Sequence, residues 1–232
     1  KRLKTDYIDL YQFHWPNRGS YHFRQSWSFA PWDMPSRDET VQHMRDALGA
    51  LEREVDRGTI RAFGLSNESA WGTSMWLQIA QEAGGPRVAS LQNEYSLLCR
   101  QADTDLAEMM VHEDVGLLPY SPLAAGLLTG KYQGGAVPER SRMALNGNLG
   151  GRKSDRVFPA VDAYLAVARD FGLDPVHMAL AWTMQRPFVC AAIFGATTLE
   201  QLEHLLPAAD LVLSDEVLQA LDDVNRAHPL PY

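Results

Sequence analysis

Two cysteines, Cys99 and Cys190, are all that 232 residues contain, and neither has a CxxC partner. This sets aside a disulfide-stapled scaffold and leaves redox or metal work by thiols with little support; a reducing cytoplasm is the natural home. The seven histidines are scattered without HExxH or any paired ligand spacing, which sets structural zinc aside. No apolar run is long enough to span a bilayer; FVCAAIFGA at 188–196 is among the longest. No signal-peptide pattern precedes Thr5. Basic residues do not run together and the formal charge is −8, so a nucleic-acid surface is not expected. No GxGxxG follows any apolar run, which weighs against a dinucleotide-binding Rossmann unit.

What is present reads as a globular chain long enough for one large domain, or two small ones at a stretch, with 46% apolar and 22% charged residues. The run IDLYQFHWP (8–16) is a buried-looking strand with Ile8, Leu10 and Phe13, and it delivers His14 to its C-terminal end before Pro16 stops any ladder. Met44, Ala47, Leu48, Leu51 and Val55 then fall on one face of a helix over 41–58 that Gly58 can cap. Further strands are expected at 60–67, 88–95, 116–123 and 187–196. Helices are expected at 71–84, 103–114 (Asp103 or Thr104 as N-cap), 157–171, 175–186, 199–206 and 214–228, the last capped by Ser214 without a capping box. A long Gly/Arg-rich loop fills roughly 126–154.

Five strands alternating with helices, and never joined by two-residue hairpins, indicate parallel pairing with helical crossovers. The architectures open to such a chain are a doubly wound sheet and a (β/α)8 TIM barrel. Polar residues stand at the strand C-termini: His14, Ser66-Asn67, Gln92-Asn93, Tyr120-Ser121 and Gly195 to Thr197. Barrel enzymes carry their chemistry on that rim, so the barrel is preferred, although five strands cannot close one of eight.

Five motifs in order, YIDLYQFHWP, GLSN, LQNEYSLL, PYSPLAAGLLTGKY and IFGATTLEQL, resemble the aldo-keto reductase superfamily over essentially the whole chain. Its bacterial Tas branch, itself similar to the potassium-channel beta subunits, is the part resembled. The resemblance implies that residues 1–232 are the C-terminal part of a single (β/α)8 barrel, strands four to eight. It also implies that the first three βα units, with the tyrosine general acid and its lysine and aspartate partners, lie outside this chain.

The same resemblance implies an NADPH-dependent reductase of aldehydes or ketones, with a small carbonyl compound as substrate and no metal. His14 would donate a hydrogen bond to the carbonyl oxygen as negative charge develops there; read without the family, it is a rim histidine packed under Trp15. Ser66, Asn67 and Gln92 would hold the nicotinamide carboxamide, and Tyr120 would stack on its ring. Ser121, Pro122, Leu123 and Ala124 would lie against the pyrophosphate, with backbone N–H groups from Ser121, Leu123 and Ala124. Gly126 begins the loop over it, in which Lys131 and Arg142 would meet phosphate charge, a 2′-phosphate included. Gly195, Thr197 and Gln201 would hold the adenosine end. His204 and Leu205 stand where family members often carry a carboxylate and an asparagine for the adenine edge, so adenine recognition is expected to differ. Tyr21, Phe23, Trp27, Phe29 and Trp32, in 17–36, would wall the substrate pocket or pack that loop down. Two other readings compete: an NADPH-holding regulatory subunit with little turnover, and a metal-dependent barrel hydrolase, which would need more carboxylates or histidines at strand ends.

Overall fold

A computed structural model describes residues 4–18 and 34–232. The chain divides into two compact units, Lys1–Asn93 with Asp105–Leu117, and Glu94–Thr104 with Leu118–Tyr232. The aromatic residues between 17 and 36 lie outside the described residues.

The first unit is a parallel sheet with helices. Strands β1 (Ile8–Gln12), β2 (Ile60–Ser66), β3 (Val88–Gln92) and β4 (Gly116–Leu117) pair side by side in that order, all parallel. Helices α1 (Arg37–Asp56), α2 (Ala70–Ala83) and α3 (Leu106–Glu113) alternate with them. Phe63, Leu65, Val88 and Leu91 from the strands are buried, as are Met44, Leu48 and Leu51 of α1 and Trp76 and Ile79 of α2. β1 is less buried than its composition suggests. It is an end strand of the described sheet and alternates half-buried with exposed residues, Phe13 being held by stacking on Trp76 at 5.7 Å.

Helix α1 starts earlier than its apolar stripe. Ser36 accepts from the Glu39 N–H while the Glu39 carboxylate accepts from the Ser36 N–H, a reciprocal capping box that recruits the first turn. Helix α3 starts later than expected, after a 3-10 turn at Gln101–Asp103. Neither Asp103 nor Thr104 is free to cap it: Asp103 accepts the Tyr95 hydroxyl at 2.7 Å, and Thr104 donates to the Gln101 carbonyl.

The second unit is mostly helical: a four-residue helix α4 (Arg142–Leu145), then α5 (Val157–Asp170), α6 (Pro175–Met184), α7 (Leu199–Leu205) and α8 (Asp215–Ala227). Trp182, Tyr95, Tyr164 and Tyr132 are its largest fully buried side chains. Tyr95 stacks on Trp182 at 5.1 Å, and Tyr164 donates to the Leu97 carbonyl. Ser214 caps α8 by accepting from Val217 N–H, with no capping box. The strand expected at 116–123 shrinks to β4. Pro119 and Pro122 cannot donate to a ladder, and Tyr120 is left as a bridge residue between Glu94 and Ile193. The strand expected at 187–196 is likewise absent as a strand among the described residues: only Ile193 pairs, its N–H donating to the Pro119 carbonyl at 2.8 Å. Of that run Phe188 is buried, edge-on to Tyr95, while Ile193 and Phe194 are exposed.

Candidate functional site

Parallel strands put their C-terminal ends on one edge, and in the first unit that edge is polar. Ser66 stands opposite Gln92 in register. The Gln92 carbonyl accepts from the Ser66 hydroxyl at 2.6 Å and from the Asn67 N–H at 3.1 Å. Gln92 Nε2 donates to Gln12 Oε1 at 2.9 Å, so β1 and β3 are linked side chain to side chain across β2. Gly64 allows this closeness, because a Cβ there would lie 2.3 Å from Ser90 Oγ. Asn67 takes a left-handed backbone (φ 55°), and its Nδ2 donates to the His14 carbonyl at 2.8 Å. The residue expected to hold a carboxamide thus fixes the main chain that carries His14. The His14 ring is exposed and lies 4.1 Å from Trp15, tilted by 32°.

Immediately beyond Asn67 lies a feature that the residue pattern does not announce. Glu68 is buried and paired with buried Arg18, with Nη1 to Oε2 at 3.0 Å and a second, shorter contact from Nη2 to Oε1. The Glu68 carboxylate also accepts from the Ser69 N–H at 2.7 Å. Asn93 closes the same turn, its amide bonding both the N–H and the carbonyl of Glu68. The two members of the ion pair are 50 residues apart, so no local spacing could reveal them.

The second unit carries the other candidate residues. Tyr120 is half-buried and Pro122 buried, and the backbone turns sharply after them. Ser121, Ala124, Ala125 and Gly126 all have positive φ. The Ala124 N–H donates to the Ser121 carbonyl at 2.7 Å and the Gly126 N–H to the Leu123 carbonyl at 2.9 Å. The Ala124 N–H expected to meet pyrophosphate is therefore already engaged within the turn. Gly126, at φ 91°, has a spatial duty too: a Cβ there would sit 2.9 Å from Lys131 Nζ. Lys131 folds across it as an exposed cation, and Arg142, first residue of α4, is exposed as well. Arg152 grips Glu94 with two bonds of 2.7 Å and reaches Ser121 Oγ at 3.5 Å, while the Tyr232 hydroxyl donates to the same carboxylate. Burial alone would lower the Arg152 pKa, but the Glu94 carboxylate outweighs it and holds the guanidinium above its ordinary value.

Gly195, Thr197 and Gln201 are exposed. Gln201 Oε1 accepts from both the N–H and the hydroxyl of Thr197, and Thr198 caps α7. Leu205 does not stand at an open groove. It is 7% exposed and packed with Val176, Leu180 and Ala208, against Leu123 and Met184. Placing an amide there loses apolar burial and strands polar atoms, so Leu205→Asn should destabilise by about 2–3 kcal/mol rather than serve a ligand. A shift of the denaturation midpoint at unchanged m-value measures it.

The sequence profile of the Aldo/keto reductase family matches residues 1–226. The chain belongs to this family. Its fold class is the family's (β/α)8 barrel, of which the parallel βα alternation of the first unit is the visible signature. Among curated relatives, Protein tas of Escherichia coli is 40% identical over the whole chain, which spans 65% of the length of Tas. A Babesia bovis protein named Aldo-keto reductase is 35% identical over 88% of the chain and 74% of its own length. An Arabidopsis thaliana protein named as a probable voltage-gated potassium channel subunit beta is 30% identical, covering 99% of the chain and 65% of its own length.

Each unit, taken by itself, carries groups of a kind that a nicotinamide dinucleotide engages. Two amides and a hydroxyl on adjacent strand ends suit a carboxamide, which both donates and accepts. The close approach at Gly126, with Lys131 laid over it, suits phosphate charge.

Proposed function

We propose that the protein is an oxidoreductase that reduces aldehydes or ketones to alcohols with NADPH, acting in the cytoplasm on small molecules and without nucleic-acid or membrane partners. The observation that supports this best is the register of Ser66 with Gln92 at the C-terminal edge of the sheet, tied through Asn67 to the main chain of His14. When bound, the dinucleotide would supply a hydride. The protein's own part is positioning and charge. Ser66, Asn67 and Gln92 would hold the carboxamide, Tyr120 the ring face, the turn of Ser121, Pro122, Leu123 and Ala124 the pyrophosphate stretch through N–H groups other than that of Ala124, which is bonded within the turn, and Gly195, Thr197 and Gln201 the adenosine end. His14 would donate to the carbonyl oxygen as charge builds on it, an interaction stronger in the transition state than in the ground state.

Arg142 is assigned to the 2′-phosphate. Arg142→Ala should weaken NADPH about tenfold, roughly 1.4 kcal/mol, and leave NADH nearly unchanged, because only NADPH carries the extra phosphate. Fluorescence titration of both cofactors checks this; equal losses would show that the arginine does not read that phosphate.

A second reading, an NADPH-holding regulatory subunit, is favoured by the likeness to the Arabidopsis channel-subunit relative. NADPH consumption on adding an aldehyde or ketone separates the two: binding without consumption supports the regulatory reading.

A further inference from the structure

Asp174, His177 and His204 come together in the second unit, although 30 residues separate the first from the last. Each offers one ligand atom, and these atoms all lie within 4.8 Å of one another. Histidine spacing reveals only ligands close in sequence; the fold brings these three together from α6 and α7.

Asp174 is the N-cap of α6, and its Oδ1 accepts from the Val176 and His177 N–H groups at 2.8 and 3.0 Å. Those bonds fix the carboxylate and turn Oδ2 to His204, whose Nε2 lies 2.9 Å away. Backbone N–H groups orienting a carboxylate are the kind of outer support that metal-ligating carboxylates have. His177, in the first turn of α6, and His204, in the last turn of α7, set their rings 5.1 Å apart. The His177 ring is steadied by a bond to the His204 carbonyl. Asp174 and His177 are half-buried and His204 is exposed, so solvent reaches the cluster.

We propose that Asp174, His177 and His204 form a divalent-metal site that takes Zn²⁺, with a water molecule completing a tetrahedral shell. Two imidazoles and one carboxylate are ligands that suit zinc, and a three-ligand set leaves a position open. Bonds of about 2.0–2.1 Å space tetrahedral ligand atoms by about 3.4 Å, so closure requires modest side-chain rotation from the present separation. His204 is exposed enough to make it. A bound dication would replace the contact between His204 and Asp174 and tie α7 to α6.

The test uses tag-free protein stripped with a chelator and titrated with ZnCl₂ by equilibrium dialysis. One equivalent should bind in the micromolar range. Asp174→Asn keeps a good helix cap yet loses the charged ligand; this variant, His177→Gln and His204→Gln should each weaken binding tenfold or more, with unchanged circular dichroism. Cys190→Ser, at the exposed thiol, should bind like the parent. Co²⁺ in place of Zn²⁺ should give the visible absorption of a tetrahedral site, lost in His204→Gln. Absence of saturable binding, or equal binding by the parent and all three ligand variants, would overturn the proposal.

Discussion

Glu68→Ala is expected to cost about 3–5 kcal/mol of stability, the effect of leaving a buried charge without its partner. The Arg18 and Glu68 side chains are 5% and 3% exposed. Removing the carboxylate strands the guanidinium and also takes the acceptor from the Ser69 N–H, where α2 begins. Water has little room to replace it: a Cβ on Gly72 would lie 2.1 Å from Glu68 Oε1 and 2.3 Å from Arg18 Nη2. In a protein of this size the loss corresponds to a melting temperature lower by roughly 6–20 °C. The control is Arg18→Met combined with Glu68→Leu, since apolar replacement of a whole buried pair is often neutral. A double variant much more stable than Glu68→Ala would assign the loss to the orphaned arginine. A Glu68→Ala midpoint within about 1 kcal/mol of the parent would mean the pair is solvated in solution.

The sequence is most legible where contacts are local and periodic. The stripe from Met44 to Leu51 places α1, Gly84 ends α2 in a left-handed turn, and the GLSN and ASLQ runs place β2 and β3. Strand ends then follow, and with them His14, Ser66 and Gln92. What is illegible is set by tertiary pairing. Arg152 meets Glu94 across 58 residues, and Asp174 meets His204 across 30, so neither pair leaves a spacing to read. The apolar run at 187–196 shows the converse error. Its composition satisfies a strand, yet a ladder also needs N–H donors and acceptors on a neighbour, and prolines interrupt the neighbouring stretch at 119 and 122. The 36–39 segment was readable by rule, since Ser-x-x-Glu before an apolar stripe is a capping-box signature. Leu205 is a different case: alignment by family position suggests a ligand-facing residue, and only its packing partners show that it belongs to the core.

His14→Ala is expected to lower turnover by about 10²–10³-fold, the loss that follows removal of one donor to a developing oxyanion, about 3–4 kcal/mol. Three observations support so specific an effect. The ring is exposed at a strand end, its main chain is anchored by Asn67, and its face is covered on one side by Trp15. An exposed imidazole buries little, so stability should change by less than about 0.5 kcal/mol. NADPH affinity should hold within a factor of two or so, because the proposed carboxamide contacts belong to Ser66, Asn67 and Gln92 rather than to this ring. His14→Asn sharpens the test: an amide also donates, so it should recover part of the turnover if donation is the role. Steady-state kinetics alongside cofactor titration measures both quantities on the same variants. Weakened NADPH with unchanged turnover would move His14 from the carbonyl to the cofactor. Unchanged turnover and unchanged affinity would leave the ring a packing residue beside Trp15 with no part in the reaction.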